Sequence, residues 1–246
     1  MKKYPFTILE LLLVISIGAI MLTVALPAFN RMLKGSASGI AIRELTARLN
    51  SAKSKAMSNG SHRVAIVFPA NEDISNATST HKDVFAKRYR YRAYRACYVN
   101  ESDLTFVKWV DGDNWKFLPE GIVLEAIGRE GKNSPEEVIH LHETTDQKKA
   151  SSDKLHSGTL TCNIGGRSYS ETATTGSSTT IPIRNFILFN RNGTLDEFPR
   201  GAVLRLREGK VNDDGLGVTT GATDEYFPIV IRATGKIKAY NELVDG

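Results

Sequence analysis

Apolar and polar positions along this chain fall into three patterns, and each asks for a different element. The first is a nearly unbroken apolar run from Phe6 to Phe29. It holds one charge, Glu10, and none from Leu11 to Phe29. As a helix, that stretch rises roughly 28 Å, about the hydrocarbon thickness of a bilayer. The pattern predicts a transmembrane helix over residues 6–29, with Pro27 tolerated as a kink. Lys2 and Lys3 precede it and predict a cytoplasmic N-terminus, with the C-terminal bulk on the far side. A cleaved secretory signal fits less well, because Ala25-Leu26-Pro27-Ala28 makes a poor small-x-small cleavage site.

The second pattern is periodic. Ile42, Leu45, Leu49, Ala52 and Ala56 recur at spacings of three and four, while Arg43, Glu44, Arg48 and Lys55 fall off that stripe. This predicts an amphipathic helix over residues 30–59, ending near Asn59-Gly60. Gly35 and Gly39 flank a weak spot, each costing ~1 kcal/mol relative to alanine.

The third pattern is a series of short apolar runs separated by turn signals. Expected strands are 64–68, 85–99, 104–110, 123–126, 138–141, 186–189, 202–206 and 229–233. Asp111-Gly112, Asn192-Gly193 and Asp214-Gly215 mark turns between them. Residues 143–180 are polar and predict a long exposed insertion. The expected fold class is therefore α+β: a transmembrane helix continues into an amphipathic helix packed on an antiparallel β-domain over residues 60–246.

Composition adds little to this. Hydrophobic content of 41% and charged content of 24% are ordinary for a folded domain. A net charge of +5 suits an acidic partner without demanding one. Cys97 and Cys162 lie in the part expected outside the cytoplasm, where a disulfide between them is permitted. They are too few for a metal site, and no cofactor is expected.

Glu10 changes the picture. An acid within an apolar helix is costly, ~2.5–3.5 kcal/mol at mid-bilayer on insertion scales, so it points to a function and a partner. Phe6-Thr7-Ile8-Leu9-Glu10, the long aliphatic run and Pro27 resemble the N-terminal segment of type IV pilins and type II secretion pseudopilins. The resemblance implies a leader over residues 1–5 and cleavage by a prepilin peptidase between Pro5 and Phe6. It further implies N-methylation of Phe6 and assembly of the mature helix into a filament core. Glu10 would salt-bridge the α-amine of Phe6 in a neighbouring subunit, and Pro27 matches the family's helix-distorting proline. One position departs from the pattern: the family carries glycine before the Phe, whereas Pro5 fixes φ and has no N–H.

Two later segments extend the resemblance. Asn185–Thr194 and Phe227–Ile237 each read as a hairpin, and both look like the minor, H-type pseudopilins of the pseudopilus tip and related minor pilins. The implied partners are other pseudopilins or pilins, the peptidase and an inner-membrane assembly platform. The implied location is the bacterial inner membrane, single-pass, with a periplasmic or extracellular C-terminal domain.

No catalytic constellation is present: there is no Gly-x-Ser-x-Gly, phosphate-cradling loop or metalloprotease helix motif, so no enzyme is expected. His140 and His142 share a strand face without a third ligand, and Asp111, Asp113, Asp213 and Asp214 read as turn residues. Arg88, Arg90, Arg92 and Arg95 interleave with Tyr89, Tyr91 and Tyr94. On a strand this would put arginines on one face and tyrosines on the other, a pattern suited to nucleic acid or to a solvated face above a packed one. The expected function is that of a minor pseudopilin, a structural subunit. The alternatives are a DNA-binding minor pilin for DNA uptake and an uncleaved single-pass anchored protein.

Overall fold

A computed structural model describes residues 8–69, 89–130, 136–140, 160–163, 180–183, 185–196, 201–213, 218–220 and 226–240. The residues fall into two compact units, Met1–Ala37 and Ser38–Gly246. Helix α1 (Ile8–Ser58) contributes to both.

In the first unit α1 runs from Ile8. Among the described residues no helix is long and apolar enough to cross a membrane. This overturns the transmembrane segment expected over residues 6–29, and with it the single-pass inner-membrane placement. The expected fold class, built on that segment, is corrected with it. In its place stand a helix of 51 residues and antiparallel sheets in two main groups.

In the second unit, α1 buries Ala41, Ile42, Leu45, Leu49, Ala52 and Ala56, the stripe that the spacing predicts. Each fully buried Ile or Leu contributes roughly 1.5–3 kcal/mol. The helix stops at Ser58, where Asn59 takes over with a backbone bond to the Lys55 carbonyl, just before Gly60.

The strands are β1 (Arg63–Val67), β2 (Ala93–Val99), β3 (Phe106–Trp109), β4 (Lys116–Phe117), β5 (Ile122–Glu130), β6 (Glu136–His140), β7 (Leu160–Asn163), β8 (Thr180–Ile183), β9 (Phe186–Phe189), β10 (Ala202–Val211), β11 (Val218–Thr220), β12 (Phe227–Ile231) and β13 (Ile237–Ala239). One sheet runs β3-β2-β1-β9, with β4 also on β2. A second runs β13-β12-β10-β5-β6, with β11 on β10. β7 and β8 form a separate ribbon. Every pairing is antiparallel.

β1 and β9 lie side by side in the first sheet, and all but Arg63 of their residues are buried. That is why they read as continuous apolar runs instead of alternating ones. Ala65, Val67, Ala93, Cys97, Val99, Phe186 and Leu188 share one buried cluster with Tyr89 and Trp115. The insertion expected over residues 143–180 holds strand β7, whose Cys162 is buried in that same cluster.

Candidate functional site

Among the described residues of the first unit, the large apolar side chains stand out into solvent. Ile8, Leu9, Leu11, Leu12, Leu13, Val14, Ile15, Ile17, Ile20, Met21 and Leu22 are 49–79% exposed. An uncovered apolar surface this extensive marks an interaction site. Glu10 lies in the first turn of α1, where a carboxylate also meets the positive end of the helix dipole. Pro27 lies within the helix, so it does not end it. A mid-helix proline removes one backbone bond and favours a kink at that turn. Pro5 and Phe6 lie outside the described residues.

The arginine–tyrosine segment does not form the expected strand. Arg88 lies outside the described residues, and β2 begins only at Ala93. Residues 90–92 form a turn in which Tyr91 takes a left-handed backbone, φ 59°. A tyrosine there costs roughly 1–2 kcal/mol. Two backbone bonds hold it: its N–H donates to the Pro69 carbonyl and its carbonyl accepts from Leu124 N–H, each at 2.8 Å. A left-handed residue cannot continue the two-residue alternation of a strand, so the supposed arginine face breaks here. Tyr89 and Tyr91 are both buried, and so is Arg90. Arg92 is half-buried. Arg95, within β2, is engaged by its own chain. Its Nε donates to the Asp113 carbonyl at 2.9 Å, and its guanidinium sits 4.5 Å from the centre of the Trp109 ring. Among the described residues these arginines do not line one open face.

Asp113 is a buried anchor that the sequence presented only as a turn residue. Its Oδ1 lies 2.7 Å from Arg48 Nη1 on α1, and its Oδ2 accepts from the Ala96 N–H at 2.9 Å. Helix and sheet are tied at one carboxylate. No local sequence pattern marks this pairing, because Arg48 and Asp113 lie far apart in the chain. Nearby, a cleft of about 350 Å³ is lined by Glu44, Ala47, Arg48, Ser51, Tyr94 and Lys116. The Tyr94 hydroxyl is pushed up to about 12, first by burial and then by the Glu44 carboxylate. The cleft's mixed charges single out no ligand class.

Cys97 and Cys162 are both free and fully buried, and they belong to the same core cluster. The Cys97 thiol is pushed up, first by burial and then by a hydrogen bond with Cys162. His140 lies in β6 and His142 outside the described residues; Asp111 is exposed and pairs with Lys108. Asp213 is exposed, and Asp214 lies outside the described residues. Among the described residues no group of three or more His, Cys, Asp or Glu side chains converges.

No family model matches the sequence, and no curated protein matches it. Among solved structures the chain is similar to the minor pseudopilin EpsH of the type II secretion system of Vibrio cholerae, at 10% identity and a TM-score of 0.39, over 86% of this chain and 96% of that one. A second structure of EpsH matches at 10% identity and a TM-score of 0.35, over 82% and 95%. With both TM-scores below 0.5, this likeness carries no weight in the functional reading.

Proposed function

We propose that the chain is a minor pseudopilin: a structural subunit of a type II secretion pseudopilus or a type IV pilus-like filament, assembled through α1. One observation carries the reading. Directly after Phe6-Thr7 comes a helix that starts at Ile8 and carries Glu10 in its first turn; its apolar side chains from Ile8 to Leu22 stand exposed, while the stripe from Ala41 to Ala56 is packed. Such a surface finds cover in copies of similar helices. An acid buried among them needs a cation, and the α-amine of a chain cut before Phe6 supplies one at that level of the helix. In this reading a prepilin peptidase cuts between Pro5 and Phe6 and Phe6 is N-methylated. Glu10 then sets subunit register, and an assembly platform adds the subunit to other pseudopilins. The hairpins at 185–194 and 227–237 favour the H-type tip subgroup. The role is mechanical, without a reaction of its own.

Co-assembly tests it. Glu10→Ala is expected to leave the folded C-terminal unit intact while reducing recovery of the chain in sheared or cross-linked filaments. Mass spectrometry of filament-associated protein is expected to find a methylated Phe6 at the N-terminus. Undiminished co-assembly of Glu10→Ala, or filament protein retaining residues 1–5, overturns the reading.

A further inference from the structure

The chain's two cysteines, distant in sequence, meet in the core at the place where the small ribbon docks. Cys97 sits in β2 opposite Trp109 of β3. β7 packs against β3 and carries Cys162. Both thiols are 0% exposed and belong to one buried cluster. Burial of one free cysteine is unremarkable, since the residue behaves as a small apolar group. Burial of two against each other, one from β2 and one from β7, is a different arrangement.

We propose that Cys97 and Cys162 form a redox-controlled staple that fixes the β7–β8 ribbon to the β3–β2 side of the first sheet. The oxidant class is a disulfide, either of a small thiol or of a thiol oxidoreductase. One cysteine thiolate attacks a sulfur of that disulfide and expels one of its thiols, leaving a mixed disulfide. The second cysteine thiolate then attacks the chain's own sulfur in the mixed disulfide. The Cys97–Cys162 bond forms and the oxidant's second thiol leaves. The chain has lost two electrons and two protons, and the oxidant disulfide has become two thiols.

Burial makes the two states distinct. In the docked, reduced form the thiols hold their protons and no solvent reaches them, so exchange is slow. Oxidation proceeds while the ribbon is undocked, during folding or local opening. Once formed, the bond is shielded by the same cluster, and undocking is no longer available without reduction. The staple thus adds a covalent link where β7 packs against β3.

The test uses the full chain in mild detergent, equilibrated with oxidised or reduced glutathione, then acid-quenched, unfolded and alkylated. In oxidised glutathione we expect no alkyl label, a mass lower by two hydrogens and a non-reduced digest joining the Cys97 and Cys162 peptides. Limited proteolysis at the ribbon is expected to slow roughly tenfold or more relative to the reduced chain. Cys97→Ala and Cys162→Ala are expected to abolish this redox dependence. Because the main comparison is wild type in two redox states, a poorly folding variant does not remove it. The proposal is overturned if both cysteines remain alkylatable after oxidation, if each is capped by glutathione separately, or if ribbon proteolysis is equal in both states.

Discussion

A Cβ placed on Gly235 would stand 1.9 Å from the carbonyl oxygen of Gly193. The two glycines are the tips of the turns at Asn192-Gly193 and Thr234-Gly235, and those turns abut. Both have left-handed backbones, φ 79° and 74°. Lys53 of α1 locks the arrangement, its Nζ donating to the Gly235 carbonyl at 3.0 Å. The two positions differ in what surrounds them. A Cβ on Gly193 meets first the exposed end of Met57, which can swing away, and then Lys53 Cε, which has to give only slightly, whereas one on Gly235 meets backbone. Gly193→Ala is therefore expected to cost about the left-handed penalty, roughly 1–2 kcal/mol. Gly235→Ala adds a backbone displacement and is expected near the upper end of single substitutions, ~3 kcal/mol or more. Urea unfolding of the two variants checks the order; equal losses would remove the close approach as the reason.

The Arg48–Asp113 link predicts an asymmetry of its own. The Asp113 side chain is 3% exposed and that of Arg48 29%. Removing Arg48 strands a buried carboxylate, whereas removing Asp113 leaves a guanidinium that can turn to water. Breaking a buried pair costs ~3–5 kcal/mol, and partial exposure of Arg48 puts Arg48→Met at or below the low end of that range. Asp113→Asn keeps an acceptor for the Ala96 N–H and is expected to cost less. Chemical denaturation of both variants reads this directly, and a costlier Asp113→Asn would contradict it.

The periodic features were the legible ones. The buried stripe from Ile42 to Ala56 follows from spacing, because only one face of the helix meets the sheet. Phe186–Phe189 emerges as strand β9 with the expected bounds, since an apolar run beside Asn190-Arg191-Asn192-Gly193 has little else to do. The arginine segment was not legible. Alternating Arg and Tyr predicts a strand, and what stops it is the left-handed Tyr91, fixed by bonds to Pro69 and Leu124 that no local pattern reveals. The length of the apolar run from Phe6 suggested a membrane span that the described helix does not bear out. β7 was hidden too, because four residues within a polar stretch carry no period, and only Cys162 hinted at a buried partner. Of the candidate site, the motif around Glu10 was open to reading. The anchoring role of Asp113 was not, as it depends on a contact across the fold.

Tyr94 carries a pH dependence. The residue is 2% exposed, and burial, then Glu44, raises the hydroxyl from 10.0 to about 12. The unfolded chain gives up this proton near pH 10 while the folded chain retains it. The contribution is therefore fully present below pH 10 and declines as the pH climbs toward 12. Over that window the loss amounts to roughly 2–3 kcal/mol. Tyr94→Phe is expected to flatten this part of the stability profile relative to wild type. Parallel profiles for the two proteins would show that Tyr94 does not cause the slope.

Glu125 of β5 and Arg207 of β10 make a pair that depends on a fault in the ladder. Arg205 pairs with Ala126 and Leu206 with Leu124, so Glu125 is the extra residue of a bulge. A bulge re-aims the side chain at its centre. Here it brings the Glu125 carboxylate 2.5 Å from Arg207 Nη1, with side chains 5% and 12% exposed. Neither charge has much access to water, so their interaction is strongly coupled. Arg207→Met alone strands the carboxylate and is expected to cost ~3–5 kcal/mol. Glu125→Leu alone strands the guanidinium, less severely because Arg207 is the more exposed of the two. The double variant removes both charges together and is expected to recover most of the stability lost in Arg207→Met, since a buried ion pair and an apolar replacement often differ little. A double-mutant cycle in urea measures the coupling. If the two single losses simply add, the bulge positions no interacting pair and must be explained by packing alone.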